Sequence, residues 1–293
     1  MNENNSVSAD VDESVWGKTE NENFVFSLQP DTKNLFVYSE HRQKVKKSRI
    51  NFPLLKSEKK FFNGCSWVNT NGKLYISGGI TSDGTFSKEF IVYDNIDTTG
   101  VTLLHELKER RANHSMFFND ESIYFLGGEN TKTTEIYNVN LNTFITKNNK
   151  NYESVDNPIV WIHNGYIYSF FGIKNGVYVD YVQRANLKLE DLKWEKVPYK
   201  ISAEDIDNKI IGCGIIPCGN SEIYFFGGKK ENTTTNQSII FNFDSKEFSN
   251  AGVPLEQGQF FKDNKFIELG KKTYGQFSLT EPDNFLKIDV SYA

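Results

Sequence analysis

The stretch HSMFFNDESIYFLGGENTKTTEIYNVNLNTF, residues 114–144, decides the fold because short apolar segments and polar turns alternate along it. Its first two apolar segments, residues 114–118 and 123–128, are joined by the polar pair Asn119-Asp120. Asparagine and aspartate tolerate the positive φ angles that two-residue hairpins need. The stretch therefore predicts a tight β-hairpin whose second strand ends in two glycines.

A second hairpin follows the first. Tyr137 and Phe144 lie seven residues apart, which suits two short strands joined by a turn. Phe241 and Phe248 repeat that spacing, and so do Tyr38 and Val45; Tyr93 starts an equivalent pair. In one further unit, an insertion separates Tyr181 from Trp194. Each unit is thus predicted to form four antiparallel strands.

The glycine-ended segment recurs along the chain. It appears at residues 74–79 (LYISGG), 123–128 (IYFLGG), 167–172 (IYSFFG), 223–228 (IYFFGG) and 265–270 (KFIELG), with starts 49, 44, 56 and 42 residues apart. A period of roughly 40 to 50 residues built of short strands is typical of propeller blades. The glycines that mark the repeat are Gly78, Gly79, Gly127, Gly128, Gly172, Gly227, Gly228 and Gly270.

These units resemble the kelch repeat family, in which a glycine pair is followed by two spaced aromatic residues. The resemblance spans residues 24–290 and is fullest in one unit, at Arg111, His114, Ile123, Tyr124, Gly127, Gly128, Tyr137 and Phe144. It implies an all-β kelch-type β-propeller over residues 23–293. We expect six four-stranded blades, with five as the alternative, and a ring closed by the N- and C-terminal segments. The glycines and paired aromatics then serve the structure of the repeat.

Composition narrows the functional classes. The net charge of −5 argues against nucleic-acid binding. There is no signal-like or membrane-spanning apolar run, and the three cysteines lack zinc-type spacing. The sequence therefore predicts a cytoplasmic protein that binds neither membranes nor nucleic acid. Residues 1–22 are polar and acidic and are expected to form a flexible tail.

No catalytic constellation is evident from the sequence. The histidines His41, His105, His114 and His163 fall in different units without acidic or cysteine neighbours at metal-ligand spacing. Neither a metal nor a cofactor is expected, and the protein is not predicted to be an enzyme. One alternative stays open: some kelch propellers are sugar mutarotases, and such an enzyme needs only a few polar channel residues. A buried cluster of Arg, Glu and His at the channel mouth would favour it, and a channel plugged by apolar side chains would exclude it.

A basic segment lies near the N-terminus, within HRQKVKKSRI at residues 41–50. Alternation on a strand would place Arg42, Lys44 and Lys46 on one face. Lysines on an edge strand can simply protect it from aggregation, but they also suit an acidic partner such as a tubulin tail. The candidate partner-binding residues are Arg42, Lys44, Lys46, Lys47, Arg49, Arg110, Arg111, Lys229 and Lys230.

The leading functional hypothesis is a non-catalytic interaction scaffold or adaptor subunit of a larger assembly, cytoskeletal or ciliary (axonemal) in setting. Kelch relatives often bind partners through the loops between strands 2 and 3 and the connectors between blades, here residues 81–88, 129–133, 229–236, 108–112 and 197–209. A substrate-recognition subunit of a cullin-type ubiquitin ligase is the second hypothesis. The mutarotase-like enzyme is the third.

Overall fold

The protein is an all-β propeller. The computed structural model describes residues 6–7, 24–29, 34–49, 63–93, 101–129, 131–204, 206–252, 261, 267–270, 273–277 and 285–289, and none of these residues is helical. Propeller architecture agrees with the expectation from the repeated glycine-ended hairpins.

Twenty-nine strands are described. In chain order they are β1 (Ser6–Val7), β2 (Phe24–Gln29), β3 (Asn34–Ser39), β4 (Lys44–Arg49), β5 (Ser66–Thr70), β6 (Lys73–Ser77), β7 (Phe90–Tyr93), β8 (Val101–Leu103), β9 (His114–Asn119), β10 (Ser122–Gly127), β11 (Thr133–Asn138), β12 (Thr143–Lys150), β13 (Ile159–His163), β14 (Tyr166–Phe170), β15 (Ile173–Lys174), β16 (Val177–Tyr178), β17 (Val182–Asn186), β18 (Leu192–Lys193), β19 (Glu195–Val197), β20 (Lys200–Ile201), β21 (Gly214–Cys218), β22 (Glu222–Phe226), β23 (Lys229–Lys230), β24 (Thr233–Thr234), β25 (Ser238–Asn242), β26 (Glu247–Asn250), β27 (Ile267–Gly270), β28 (Thr273–Phe277) and β29 (Phe285–Asp289).

Five sheets of the described residues contain four or five strands, and we call them blades I to V. Blade I is β5-β6-β7-β8, blade II is β9-β10-β11-β12-β18, blade III is β13-β14-β17-β19, blade IV is β21-β22-β25-β26-β20, and blade V is β27-β28-β29-β1. The sheet β2-β3-β4, here the N-terminal sheet, has three described strands. The expectation of six four-stranded blades is therefore not met, and the number of four-stranded blades agrees with the five-blade alternative.

Hairpins form as the sequence predicts, but in blade II the turn lies one residue later than expected: Asn119 pairs with Ser122, and Asp120 and Glu121 have the positive φ angles. Asn71 and Gly72 both have positive φ angles of 52° and 66°, as a two-residue turn between antiparallel strands requires. The residues spaced by seven lie directly opposite each other in the ladder, as the pair Tyr137 and Phe144 shows. Phe241 and Phe248 are opposed in the same way. The insertion-bearing unit differs, because Val182 pairs with Val197 in blade III rather than Tyr181 with Trp194.

Aromatic side chains fill the spaces between neighbouring sheets. Phe90 of blade I meets Tyr137 of blade II edge to face, with ring centroids 5.0 Å apart. Phe170 of blade III meets Phe241 of blade IV in the same geometry at 5.2 Å. Such buried aromatic pairs add roughly 0.5–1.5 kcal/mol each beyond the area that they bury. Aromatic contacts between neighbouring sheets therefore help to hold the propeller together.

The N-terminal sheet packs between blades V and I. Tyr38 stacks on Phe285 of blade V with centroids 3.8 Å apart, and Phe26 packs edge-on against Tyr93 of blade I at 5.8 Å. Both faces of this three-stranded sheet are thus covered. The chain runs from this sheet through blades I to V and returns to it.

The paired glycines are squeezed between two connectors. A Cβ at the first glycine of a pair would overlap the connector that enters the next blade, as at Gly127, where the Val155 carbonyl oxygen would lie 2.7 Å away. A Cβ at the second would overlap the connector that enters its own blade, as at Gly128, where the Ala112 oxygen would also lie 2.7 Å away. Both glycines have positive φ angles. Glycine is needed because only it combines this backbone conformation with so close an approach.

The N- and C-terminal segments meet in blade V. Ser6 pairs with Leu286 and Val7 with Phe285, so β1 is an outer strand of the last blade. Within the expected tail of residues 1–22, these two residues are therefore placed in a sheet, and the others lie outside the described residues. Gly270 ends β27, which stands first in its described sheet, whereas the sequence predicted a second strand there.

A pair of glycine substitutions separates backbone strain from crowding. Gly78 and Gly72 have φ angles of 63° and 66°, but only a Cβ at Gly78 would overlap neighbours, including the Arg111 carbonyl oxygen. We expect Gly72→Ala to cost about 1 kcal/mol of unfolding free energy from backbone strain. Gly78→Ala should cost about 1–3 kcal/mol more. Urea denaturation measures both, and equal losses would contradict the squeezed position of Gly78.

Candidate functional site

The two ends of each blade carry different kinds of connection. Because neighbouring strands run antiparallel, the turns between strands 1 and 2 and between strands 3 and 4 lie at one end. We call this end the turn face. The loops between strands 2 and 3 and the connectors between blades lie at the other end, the loop face. The loop face contains the segments that the sequence analysis singled out for partner binding.

A buried arginine fixes the connector between blades I and II. Arg111 is 0% exposed and donates hydrogen bonds to the Glu135 carboxylate at 3.2 Å and the Glu109 carboxylate at 3.2 Å. It also donates to the carbonyl oxygens of Gly127 at 3.1 Å and Thr133 at 2.8 Å. Burial lowers the pKa of Arg111, an effect that the two carboxylates oppose. Its prediction as a partner-binding residue is wrong, since every face of its guanidinium is covered by protein.

Glu135 ties the same connector to blade II a second time. Its carboxylate accepts hydrogen bonds from the backbone N–H groups of Lys108 at 2.6 Å and Glu109 at 3.3 Å. The nearby His114 is also buried, with its Nε2 2.8 Å from the Ser77 hydroxyl. A buried Arg, Glu and His are therefore present in this region. Their described contacts brace the backbone where blades I and II meet.

Glutamine side chains hydrogen-bond to the backbones of the next two connectors, and we call each such contact a latch. The N–H of Glu153 donates to the Gln183 side-chain oxygen at 2.9 Å, and the Gln183 amide donates back to the Glu153 carbonyl at 3.0 Å. Gln237 makes the same reciprocal pair with Asp207 in blade IV. Two hydrogen bonds between one side chain and one backbone position hold each connector against the blade that it enters.

Lysines from the loop face surround the Glu153 carboxylate. Lys196 Nζ lies 2.7 Å from one carboxylate oxygen and Lys174 Nζ lies 2.9 Å from the other. Hydrogen bonds from these two lysines lower the pKa of Glu153 to about 2. Tyr181 lies beside them, with the Lys196 ammonium 4.6 Å above its ring. Lys230 and Asp207 form a similar pair at 2.8 Å in the next blade.

Two small hairpins rise from the loop face beside each other. The hairpin β15-β16 belongs to the loop of blade III, and β23-β24 to the loop of blade IV. They are joined where the backbone N–H of Glu231 donates to the Tyr178 hydroxyl at 2.8 Å. Val177 is 64% exposed on the first hairpin. We call this pair the twin hairpins. It exposes an apolar residue on two hairpins that are hydrogen-bonded to each other.

The predicted partner-binding residues fall into separate places. Arg110 is exposed on the loop face and donates to the Phe86 carbonyl at 2.8 Å. Lys229 and Lys230 form β23, within the twin hairpins. Arg111 is buried in the connector between blades I and II, and the other five lie in the N-terminal sheet and its turn, so the structure does not bring all nine together.

The basic segment of the N-terminal sheet departs from strict alternation. Arg42 lies in the turn before β4, whereas Lys44 and Lys47 are exposed on the strand. Lys46 is only 8% exposed. The sequence analysis placed Arg42, Lys44 and Lys46 on one strand face. Arg42 instead lies outside the strand, so alternation does not apply to it, and the packing of the sheet covers Lys46. The Arg49 side chain lies outside what the structure describes.

Sequence reasoning missed the latches and the exposed hairpin tip. Glu153, Gln183, Asp207 and Gln237 take part in no recognisable motif. One signal was present: Gln183 directly follows the apolar pair Tyr181-Val182 at the start of a third strand, and a buried polar residue usually has a specific hydrogen-bond partner. The Asn175-Gly176 pair before Val177 was a second signal, since it predicts a tight hairpin turn.

Comparison with known proteins gives no match: no family model matches the chain, and no curated protein matches it. Within the described residues there is no group of three or more His, Cys, Asp or Glu side chains placed to hold a metal ion. The same residues include no helix of the length and apolarity that crossing a membrane requires.

Removing the counter-charge of the buried Arg111 should lower the unfolding free energy far more than removing the counter-charge of an exposed ion pair. Glu135→Gln leaves Arg111 buried without its full counter-charge, and we expect a loss of about 3 kcal/mol in unfolding free energy. Glu195→Gln breaks an exposed pair with Arg184, 2.7 Å long, and should cost less than about 1 kcal/mol. Chemical denaturation of both variants checks this, and comparable losses would contradict the bracing role.

Acid should weaken the ion pairs of the Glu153 carboxylate with Lys174 and Lys196. The pKa of Glu153 is about 2 in the folded protein, below the ordinary value of about 4.3 in an unfolded chain. Its stabilising contribution is therefore present above about pH 4.3 and is lost as the pH falls towards 2. We expect the stability of Glu153→Gln to fall less steeply between about pH 5 and pH 2 than that of the wild type.

Urea midpoints measured across that pH range provide the comparison. Glu204→Gln, which removes a carboxylate from an exposed connector position, controls for the change in net charge. A stabilising role of the Glu153 ion pairs would be refuted if wild type and Glu153→Gln lost stability in parallel on acidification.

Proposed function

We propose that this protein is a non-catalytic interaction scaffold, an adaptor subunit of a larger cytoplasmic assembly built on a kelch-type propeller. The repeated glycine pairs and the opposed aromatic residues support the kelch assignment. A rigid ring that holds variable loops in fixed positions suits protein binding, because the strands set the geometry while the loops set the specificity.

The observation that carries the proposal is the bracing of the loop face. Its connectors are latched by Glu135, Gln183 and Gln237, and its ion pairs bind one loop or connector to another. A surface whose groups are already fixed loses little conformational entropy when a partner binds. The twin hairpins then offer Val177 as an exposed anchor among polar groups, a composition typical of interface centres with polar rims.

The proposed setting is cytoskeletal or ciliary, with an acidic surface such as that of tubulin as the partner. Support comes from the exposed Lys44 and Lys47 on β4 and from Arg42 in the adjoining turn. Basic side chains clustered at one surface raise the association rate with an acidic partner.

Matched substitutions on the two faces test the scaffold proposal. Val177, 64% exposed on the loop face, and Leu141, 72% exposed on the turn face, are both exposed aliphatic residues. We expect Val177→Asp to reduce recovery of cross-linked partner proteins from cell extract about tenfold, because a charge at an interface centre is poorly tolerated. Leu141→Asp should leave that recovery unchanged.

Mass spectrometry of the cross-linked proteins, with tubulin and axonemal proteins as the expected species, gives the readout. Equal recovery by both variants would reject the loop face as the docking surface. Sugar mutarotation by purified protein that recovers no partner would reject the scaffold proposal altogether.

A further inference from the structure

The chain contains four asparagine–glycine pairs, and all of them fall within the described residues. They are Asn63-Gly64, Asn71-Gly72, Asn164-Gly165 and Asn175-Gly176. In such a pair the backbone nitrogen of the glycine can attack the side-chain carbonyl carbon of the asparagine, and the glycine has no Cβ to obstruct that approach. Because the backbone must leave its turn conformation before the two atoms meet, the fold decides which pair reacts.

This ring closure leads to deamidation and needs no reactant except water. The glycine nitrogen loses its proton to solvent base and bonds to the asparagine Cγ, while the side-chain nitrogen takes up a proton and leaves as ammonia. Water then opens the succinimide at either of its two carbonyl carbons. One product is aspartate, and the other is isoaspartate, in which the main chain runs through the former side chain. Both carry a carboxylate that is ionised near neutral pH.

Two of the pairs are restrained by hydrogen bonds outside the pair itself. The Asn63 carbonyl oxygen accepts a hydrogen bond from the Ile80 N–H at 2.6 Å, which fixes the backbone of the first pair. The Asn164 side-chain amide donates to Nε2 of His163 at 2.9 Å, which restrains the reacting side chain of the third pair. Both hydrogen bonds oppose the movement that ring closure requires.

The second pair closes a strand ladder inside blade I. Asn71 and Gly72 join β5 to β6, and the two strands pair over all five residues of each. Every residue of β5 is buried. Opening this turn would therefore disturb a strand of the blade core, and such core strands have the highest opening free energies in a protein.

The fourth pair lies at the tip of the short hairpin β15-β16. Only two residue pairs, Ile173 with Tyr178 and Lys174 with Val177, hold these strands together. Of the four asparagine–glycine pairs, it is the one in which both residues are exposed. A short exposed hairpin opens locally at a much smaller free-energy cost than a core strand. Its tip can therefore reach the conformation that ring closure needs.

We propose that Asn175 is a site of spontaneous deamidation, which disrupts the exposed anchor of the loop face as the protein ages. The new carboxylate forms two residues before Val177, which is 64% exposed. Isoaspartate also lengthens the main chain of a two-residue turn, and the length of that turn sets the pairing of Lys174 with Val177. The loss of binding rests on the proposed scaffold function, whereas the deamidation itself does not.

Peptide mapping by mass spectrometry, after incubation in mildly alkaline buffer, measures all four pairs in one sample. We expect Asn175 to convert about tenfold faster than Asn71 and Asn164 in the folded protein, because its hairpin opens more easily. In concentrated guanidinium chloride, where the turns are lost, the four pairs should convert at similar rates. Equal rates at Asn175 and Asn71 in the folded protein would overturn the proposal, and so would an excess at Asn175 that persisted in the denaturant.

Matched aspartate variants test the consequence for binding. Asn175→Asp and Asn71→Asp place the same charge at the first position of two exposed hairpin turns, one on the loop face and one on the turn face. We expect Asn175→Asp to lower the recovery of cross-linked partner proteins from cell extract about tenfold, because it places a charge beside the interface centre. Asn71→Asp should leave that recovery unchanged.

Incubated protein completes the comparison. Wild type kept in mildly alkaline buffer should lose partner recovery, whereas Asn175→Gln should keep it, because a glutamine side chain closes its ring much more slowly. If Val177→Asp loses its partners but Asn175→Asp keeps them, the proposed consequence of deamidation is wrong. If both variants keep their partners, the loop-face proposal fails, while the peptide maps still decide whether Asn175 deamidates.

Discussion

The close approach of connector carbonyl oxygens to the ends of the second strands is the contact on which the rest of the structure depends. At Gly127 and Gly128 the two connectors leave room for a hydrogen atom but not for a methyl group. The chain can therefore pass from one blade to the next without separating the sheets, and the aromatic side chains between them remain in contact. Phe171 shows the alternative. It stands where other units have the first glycine, with a φ angle of 55°, and its side chain packs against Phe225 and Phe248.

Such tight backbone packing brings polar groups together, and these need partners. The connector before blade II solves the problem with a buried arginine and glutamate, whereas the connectors before blades III and IV use a neutral glutamine. A buried ion pair has a large desolvation cost, so its net contribution is smaller than its sensitivity to mutation. A glutamine that both donates and accepts holds the backbone without that cost. Both kinds of contact fix the connectors of the loop face. The lysines of that face form ion pairs with the carboxylates of Glu153 and Asp207.

Hairpins and the glycine pairs could be predicted from the sequence because both depend on residues that are close in the chain. The opposition of Tyr137 and Phe144 follows from their spacing alone. The latches could not be predicted, since Gln183 and Gln237 each contact a backbone position 30 residues away. The position of β27 within its blade could not be predicted either. β27 ends in Gly270, but an apolar segment that ends in glycine does not show which strands it pairs with. The burial of Lys46 was missed because alternation on a strand assigns side chains to two faces but does not say that neighbouring blades cover both faces of this sheet.

The basic strand and the loop face differ in how their charges are used. On the loop face, lysines such as Lys174 and Lys230 lie against carboxylates of their own chain, and these pairs fix loop positions. On β12, Lys147 and Lys150 hold a segment added beside the strand, so there the same side chains act across a strand edge. β4 resembles β12 in being an outer strand with lysines along its length, but β12 has β18 beside it and β4 has no such strand among the described residues. Lysine therefore has two structural uses in this molecule: it fixes loop positions on the loop face, and it holds an added segment at the edge of β12.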